Sequence, residues 1–218
     1  MRKERGFTLI EILVVVSILG VLMGLISILV IRSSSHQRVH TTKLAIDNLA
    51  IKVERWKQEL KQLPPMTVQQ LIAFGQRWKG LAIDNGSNEC IEVLYVALRH
   101  PDFSTPLEEG DLQLEEGFRN TDQDSWNQTP AGCTSADAVE IVDAWGNPLV
   151  YIRNSGYDQP VTITKKNGET IEVYARKKKD GTHYNQTGFQ IISLGEDGVP
   201  DGEGQLADDI TNFTKQEE

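Results

Sequence analysis

The sequence predicts an α+β chain in which a long N-terminal helix, membrane-spanning and then amphipathic, packs on a small antiparallel sheet. Three observations lead there. Residues Ile12 to Ile31 form a run without a charge. Apolar residues then recur at spacings of three, four and seven as far as Leu63. Beyond residue 139, short apolar stretches alternate with turn sequences, Asn167-Gly168 the sharpest of them.

The N-terminus comes first. Arg2, Lys3 and Arg5 against Glu4 leave a positive flank, which favours a cytoplasmic start. The apolar run has about the length that spans ~30 Å of hydrocarbon as a helix. A secretory signal would have a shorter apolar region and a small-x-small site after it, of which Ser33-Ser34-Ser35 is a poor version. A plain signal anchor explains everything except Glu11. A lone carboxylate one turn into such a helix costs about 2.5–3.5 kcal/mol or more unless it is partnered. No basic side chain lies within the segment. A free amine at residue 7, released by a cut after Gly6, would suit, in the same chain or in a neighbour.

Gly6-Phe7-Thr8-Leu9-Ile10-Glu11, with the apolar run behind it, resembles the class III signal of type IV prepilins and type II secretion pseudopilins. The resemblance implies that a prepilin peptidase cleaves between Gly6 and Phe7 and N-methylates Phe7. It also implies that Glu11 pairs with the N-terminal amine of the adjacent subunit in a helical filament. Gly6 suits the close approach of a peptidase to the backbone. One position departs from the family: Ile28 stands where a helix-kinking proline is common. Gly20 and Gly24 weaken the helix instead, and they form a Gly-x-x-x-Gly packing face.

Past Arg32 the helix becomes amphipathic. Val39, Ile46, Leu49, Val53, Trp56, Leu60 and Leu63 form one stripe, while Lys43, Asp47, Lys52, Glu54, Lys57 and Glu59 fill other faces. Pro64-Pro65 ends it. As one element, Phe7 to Leu63 would extend roughly 85 Å at 1.5 Å per residue. Thr67-Val68-Gln69-Gln70 has capping-box spacing for a short helix from Val68, and Ser87-Asn88-Glu89 caps another from Glu89 to Arg99. Residues 102–138 are rich in turn formers and read as a long loop. Strands are expected at Leu149–Ile152, Val161–Lys165, Thr170–Ala175 and Phe189–Ser193, about four in one sheet.

Three further motifs resemble the major pseudopilin of type II secretion and occur in its order. They are Pro64-Pro65-Met66-Thr67-Val68-Gln69-Gln70-Leu71, Asp143-Ala144-Trp145-Gly146-Asn147-Pro148 and Ser193-Leu194-Gly195-Glu196-Asp197-Gly198. The resemblance covers residues 1–75 and 140–213; the stretch between, about 80–138, is longer than that family has there. It implies the pilin fold. The expected organisation is a leader at 1–6, a transmembrane or filament-core helix at 7–31 and an amphipathic continuation at 32–63. A helical and looped region at 64–138 and a sheet-bearing head with an acidic C-terminal loop at 139–218 complete it.

From Leu194 onward eight acids stand against Lys215. Carboxylates interleaved with turn glycines need solvent or a cation, and hard oxygen donors on a flexible loop suit Ca²⁺. An EF-hand does not fit, because Val199 breaks its third position and no second helix follows. The pseudopilin resemblance implies one Ca²⁺ held by Leu194 O, Asp197, Val199 O, Asp208 and Asp209. Asp201 stands where that family has Gly.

The charge of −9 argues against nucleic acid as a partner, since phosphate binding needs clustered Lys and Arg. The one basic cluster, Arg176-Lys177-Lys178-Lys179 ahead of Asp180-Gly181, reads as a solvated hairpin end. Cys90 and Cys133 lack metal or redox spacing. Outside the cytoplasm they would be either a disulfide, stabilising by roughly 3–4 kcal/mol, or two free thiols. No nucleophile elbow, zinc-protease motif or phosphate loop occurs, and His36, His40, His100 and His183 are scattered. The expectation is a structural subunit and not an enzyme. It would assemble with minor pseudopilins on an inner-membrane platform, its N-terminus cytoplasmic and its head periplasmic. The alternative is a surface type IV pilus subunit for adhesion, motility or DNA uptake.

Overall fold

The expected N-terminal helix forms as α1, Leu9–Leu60. In this computed structural model the described residues are 9–114, 116–201 and 208–213, with the backbone alone described for 24–34. The chain divides into two compact units, residues 1–38 and 39–218.

In the first unit, Ser17 Oγ donates back to the Leu13 carbonyl at 2.8 Å, within the helix's own turn. The large apolar side chains from Leu9 to Met23 are exposed. Among the described residues no helix is long and apolar enough to cross a membrane. The described side chains of the apolar run stop at Met23, short of the ~20 residues a span needs. The rest of the stretch expected at 7–31 lies outside them.

In the second unit the amphipathic stripe meets the head. Ala45, Ile46, Leu49, Val53 and Trp56 are buried, whereas Val39 and Leu60 are 41% and 43% exposed. Both stand at ends of the stripe, where the head covers less of the helix. The helix stops at Leu60 rather than Leu63, because Lys61 turns left-handed at φ 59°. Its Nζ donates to the Gln58 carbonyl at 2.8 Å. Leu63 then folds into the core. The Trp56 ring packs between Phe74 and Phe103, at centroid distances of 5.8 and 5.5 Å. Polar ties fix the register: Asn48 Nδ2 donates to Asp111 O at 2.9 Å, and Lys52 pairs with the Asp111 carboxylate at 2.8 Å.

Helix α2, Val68–Ala73, starts as its sequence predicts. The Thr67 side chain accepts from Gln70 N, and Glu89 Oε1 accepts from Val68 N at 2.7 Å. Helix α3, Glu89–Arg99, has every residue from Cys90 to Leu98 buried. Asn88 does not cap it with its side chain and sits at φ 58°. Residues 102–138 are more than a loop. Glu109–Leu112 forms a 3-10 turn, and β1, Phe118–Arg119, pairs antiparallel with β2, Glu140–Ile141, across the boundary expected at 138/139. Phe103, Leu107, Leu112 and Trp126 bury themselves in the core. At Gly132, φ 86°, a Cβ would sit 2.0 Å from Arg99 O, so only glycine fits.

The expected four-stranded sheet is split. β3 (Val150–Arg153) pairs with β6 (Phe189–Ser193), which pairs with β7 (Ile210–Thr211), all antiparallel. β4 (Val161–Thr164) and β5 (Thr170–Val173) form a separate hairpin. The far edge of β4 is taken by Asn88, whose N–H donates to Thr162 O at 3.0 Å and whose Oδ1 accepts from Thr164 N at 2.8 Å. The hairpin turn runs from Lys165 to Gly168, with Gly168 at φ 81° and Asn167 not left-handed. That is a bulged turn rather than a two-residue loop.

Candidate functional site

The acidic C-terminal loop is anchored from two sides. Asp143 Oδ1 accepts from Trp145 N at 2.9 Å and Asn147 N at 3.0 Å, closing the turn that Gly146 makes at φ 85°. Its Oδ2 accepts from Ser193 Oγ at 2.7 Å. Two motifs fifty residues apart are thereby joined at the end of β6. Burial pushes the Asp143 carboxyl up, against those hydrogen bonds. Ala144 N donates to Thr42 Oγ1 at 3.1 Å, tying the same turn to α1.

Past Ser193 the chain turns at Gly195, φ 66°, where a Cβ would lie 2.5 Å from Asp208 Cγ. Glycine there lets Asp208 reach back: its Oδ2 accepts from Glu196 N at 2.8 Å and Asp197 N at 3.3 Å. Asp201 and Asp209 exchange backbone-to-carboxylate bonds at 3.2 and 3.3 Å. Carboxylate oxygens of Asp201, Asp208 and Asp209 lie within 4.8 Å of one another. Asp208 Oδ1 is buried and has no hydrogen-bond partner among the described residues. Asp197 is not in this group; it is exposed, and its Oδ1 accepts from Val199 N at 2.8 Å. Three hard oxygen donors so placed could hold a metal ion. The carboxylate set therefore differs from the expected one, gaining Asp201 and leaving Asp197 aside.

A basic side chain already stands at this group. Arg176 pairs with Asp209 and donates to Asp201 O at 3.3 Å. The cluster read as a solvated hairpin end thus turns its first residue inward, while Lys178 to Gly181 make the expected turn. Sequence could have hinted at this, because an Arg heading three lysines is the cation suited to forked carboxylate contacts.

Cys90 and Cys133 are free cysteines rather than a bridge. Cys90 lies buried on α3, and burial pushes its thiol up to about 12. Cys133 is half-buried beside Gly132. His100 is buried edge-on to Trp78 at 4.5 Å, and burial lowers its pKa.

A residue that sequence reasoning passed over is Glu92, fully buried on α3. Burial, then Asp124 and Glu140, push its carboxyl up to about 11. Asp124 and Glu140 are raised as well, burial again first. The signal was a lone acid inside Cys90-Ile91-Glu92-Val93-Leu94, a stretch otherwise apolar all round.

At the other end of the chain, Glu11 occupies the first turn of α1 and is exposed; Gly6 and Phe7 lie outside the described residues. Gly20 has open space where a Cβ would be. Residues 1–27 match the family model described as the prokaryotic N-terminal methylation motif. This N-terminus is type IV pilin-like. A pilin-like N-terminus supports prepilin processing, membrane anchoring and filament assembly in general terms. No curated protein and no solved structure matches the chain.

Proposed function

We propose that this chain is a structural, non-catalytic subunit of a type II secretion pseudopilus. Prepilin peptidase would cut after Gly6 and methylate Phe7. The mature chain would sit in the bacterial inner membrane, head in the periplasm, until an assembly platform and minor pseudopilins draw it into a filament that drives protein export. The observation that carries this is the pilin-like motif over residues 1–27, with Glu11 in the first turn of a helix whose apolar side chains stand exposed. Such a surface needs lipid or neighbouring helices to cover it. In the filament, Glu11 would take the neighbour's amine and so set the axial register.

The C-terminal loop would bind one Ca²⁺. Asp201, Asp208 and Asp209 supply carboxylates that fit it. The family resemblance adds Leu194 O and Val199 O as further donors, while the Asp197 that it also implies turns back to Val199 N. The ion would relieve repulsion between carboxylates and order the loop beside β7.

Mass spectrometry of native protein should find a methylated N-terminus at Phe7; an intact Met1 start in peptidase-positive cells would sink the processing step. Glu11→Ala should insert in the membrane yet yield few filaments, since insertion loses a charge to bury while register loses its partner. Deleting the gene should abolish export of secreted proteins. Normal export together with lost surface fibres would replace the pseudopilus by the surface-pilus alternative.

A further inference from the structure

Glu92 lies one turn into α3, and both its carboxylate oxygens are buried without a hydrogen-bond partner among the described residues. Asp122, in the segment after β1, and Glu140, on β2, each bring a carboxylate oxygen within 4.8 Å of the others and of Glu92. Asp124, 3% exposed, has both carboxylate oxygens in the same buried, unpartnered state. None of the ion pairs among the described residues involves these four acids.

The surroundings hold two of the carboxylates in place and leave the third. Glu140 accepts from Thr121 N at 2.8 Å, Thr121 Oγ1 at 2.9 Å and Asn88 Nδ2 at 2.9 Å. Asn88 Nδ2 also reaches Asp122 Oδ2 at 3.3 Å and Thr164 O at 3.2 Å. Asn88 Oδ1, the atom that would cap α3, accepts instead from Thr164 N at 2.8 Å. Carboxylates gathered so closely repel each other, and burying an ionised one without a cation is costly.

We propose that Glu92, Asp122 and Glu140 form a buried binding site for one Ca²⁺, separate from the C-terminal loop. All three donors are hard oxygens, which Ca²⁺ takes and Zn²⁺ does not favour. They come from a helix, a loop and a strand, an irregular set that suits the flexible coordination of Ca²⁺. Mg²⁺ demands a near-octahedral shell and keeps several waters, for which the fully buried Glu92 and Glu140 leave little room. Asp122 and Thr121 also line an open pocket of about 730 Å³ together with Asn85, Ser87 and Gln123. That pocket gives an ion its way in from solvent. Once bound, the ion staples the segment around 121–124 to α3 and, through Asn88, to the edge of β4.

Full-length protein in detergent, stripped of metal, provides the test. Calcium titration by calorimetry counts bound ions, and thermal melting reads their effect. Glu92→Gln keeps the shape and removes the charge, so it should bind one Ca²⁺ fewer per chain than its parent. An Asp201→Asn, Asp208→Asn variant, which spares the Arg176–Asp209 pair, should still bind one Ca²⁺. Its Tm should rise by roughly 5–10 °C at a hundredfold excess over Kd. Adding Glu92→Gln to it should abolish both signals with circular dichroism unchanged. Glu140→Gln serves if Glu92→Gln does not fold. The site is refuted if the loop variant binds no Ca²⁺, or if Glu92→Gln and Glu140→Gln each bind as many ions as their parent. Loss of an ion from the loop variant alone would speak only to the C-terminal site.

Discussion

Two groups of three carboxylates sit in the same head and are held in opposite ways. Asp201, Asp208 and Asp209 share positive charge from Arg176 and from the N–H groups of Glu196, Asp201 and Asp209. Among the described residues, Glu92, Asp122 and Glu140 have donors only at Asp122 and Glu140, and none at Glu92. The difference shows what a carboxylate cluster needs. Where the chain supplies the cation, the cluster is a structural ion pair that Ca²⁺ would have to share. Where it supplies none, a proton or a metal must do so.

The largest effect should come from breaking the ion pair. The Asp209 side chain is fully buried and that of Arg176 is 17% exposed. Asp209→Ala strands a buried guanidinium and should lower stability by about 3–5 kcal/mol in denaturant unfolding, with or without calcium. A loss below about 1 kcal/mol would mean that the loop is held by something else.

The interior cluster should respond with the opposite sign. Because Glu92 binds its proton more tightly folded than unfolded, metal-free stability falls as pH rises above its unfolded value of about 4.3 and keeps falling toward the folded value. In chelator at pH 7, Glu92→Gln should therefore stabilise the head by roughly 3 kcal/mol and make the decline between pH 5 and 8 less steep, the remainder belonging to Asp124 and Glu140. Equal pH slopes for both proteins would show that Glu92 is not the titrating group. At Gly195, alanine must adopt φ 66° and push Asp208 away, which should cost about 1–2 kcal/mol. That change should weaken calcium binding at the loop while leaving the interior ion in place. The smallest change, Ser193→Ala, removes one hydroxyl from Asp143 and should cost about 1 kcal/mol, read from the urea midpoint.

Much of the fold was legible locally. Thr67 caps α2, α3 spans Glu89–Arg99, and β6 runs from Phe189 to Ser193, each where residue pattern places it. The helix end was not legible, because a left-handed Lys61 carries none of the signal a glycine would. Strand partners were hidden too. β4 looks like a sheet strand in sequence, but Asn88 occupies its outer edge. Of the candidate calcium ligands, Asp208 and Asp209 converge and Asp197 does not, since its side chain turns back on its own loop.

The sequence by itself determined the pilin-like N-terminus, the helix periodicity, the Thr67 cap and the place of the β4–β5 hairpin. All of these rest on interactions among residues a few positions apart, where spacing and backbone preference decide the outcome. Only the tertiary structure decided which charges meet. Arg176 finds Asp209, and Glu92 finds Asp122 and Glu140, across gaps that no local pattern records. Electrostatic energy depends on distance and burial in space, and both are set only when the helices and sheets pack.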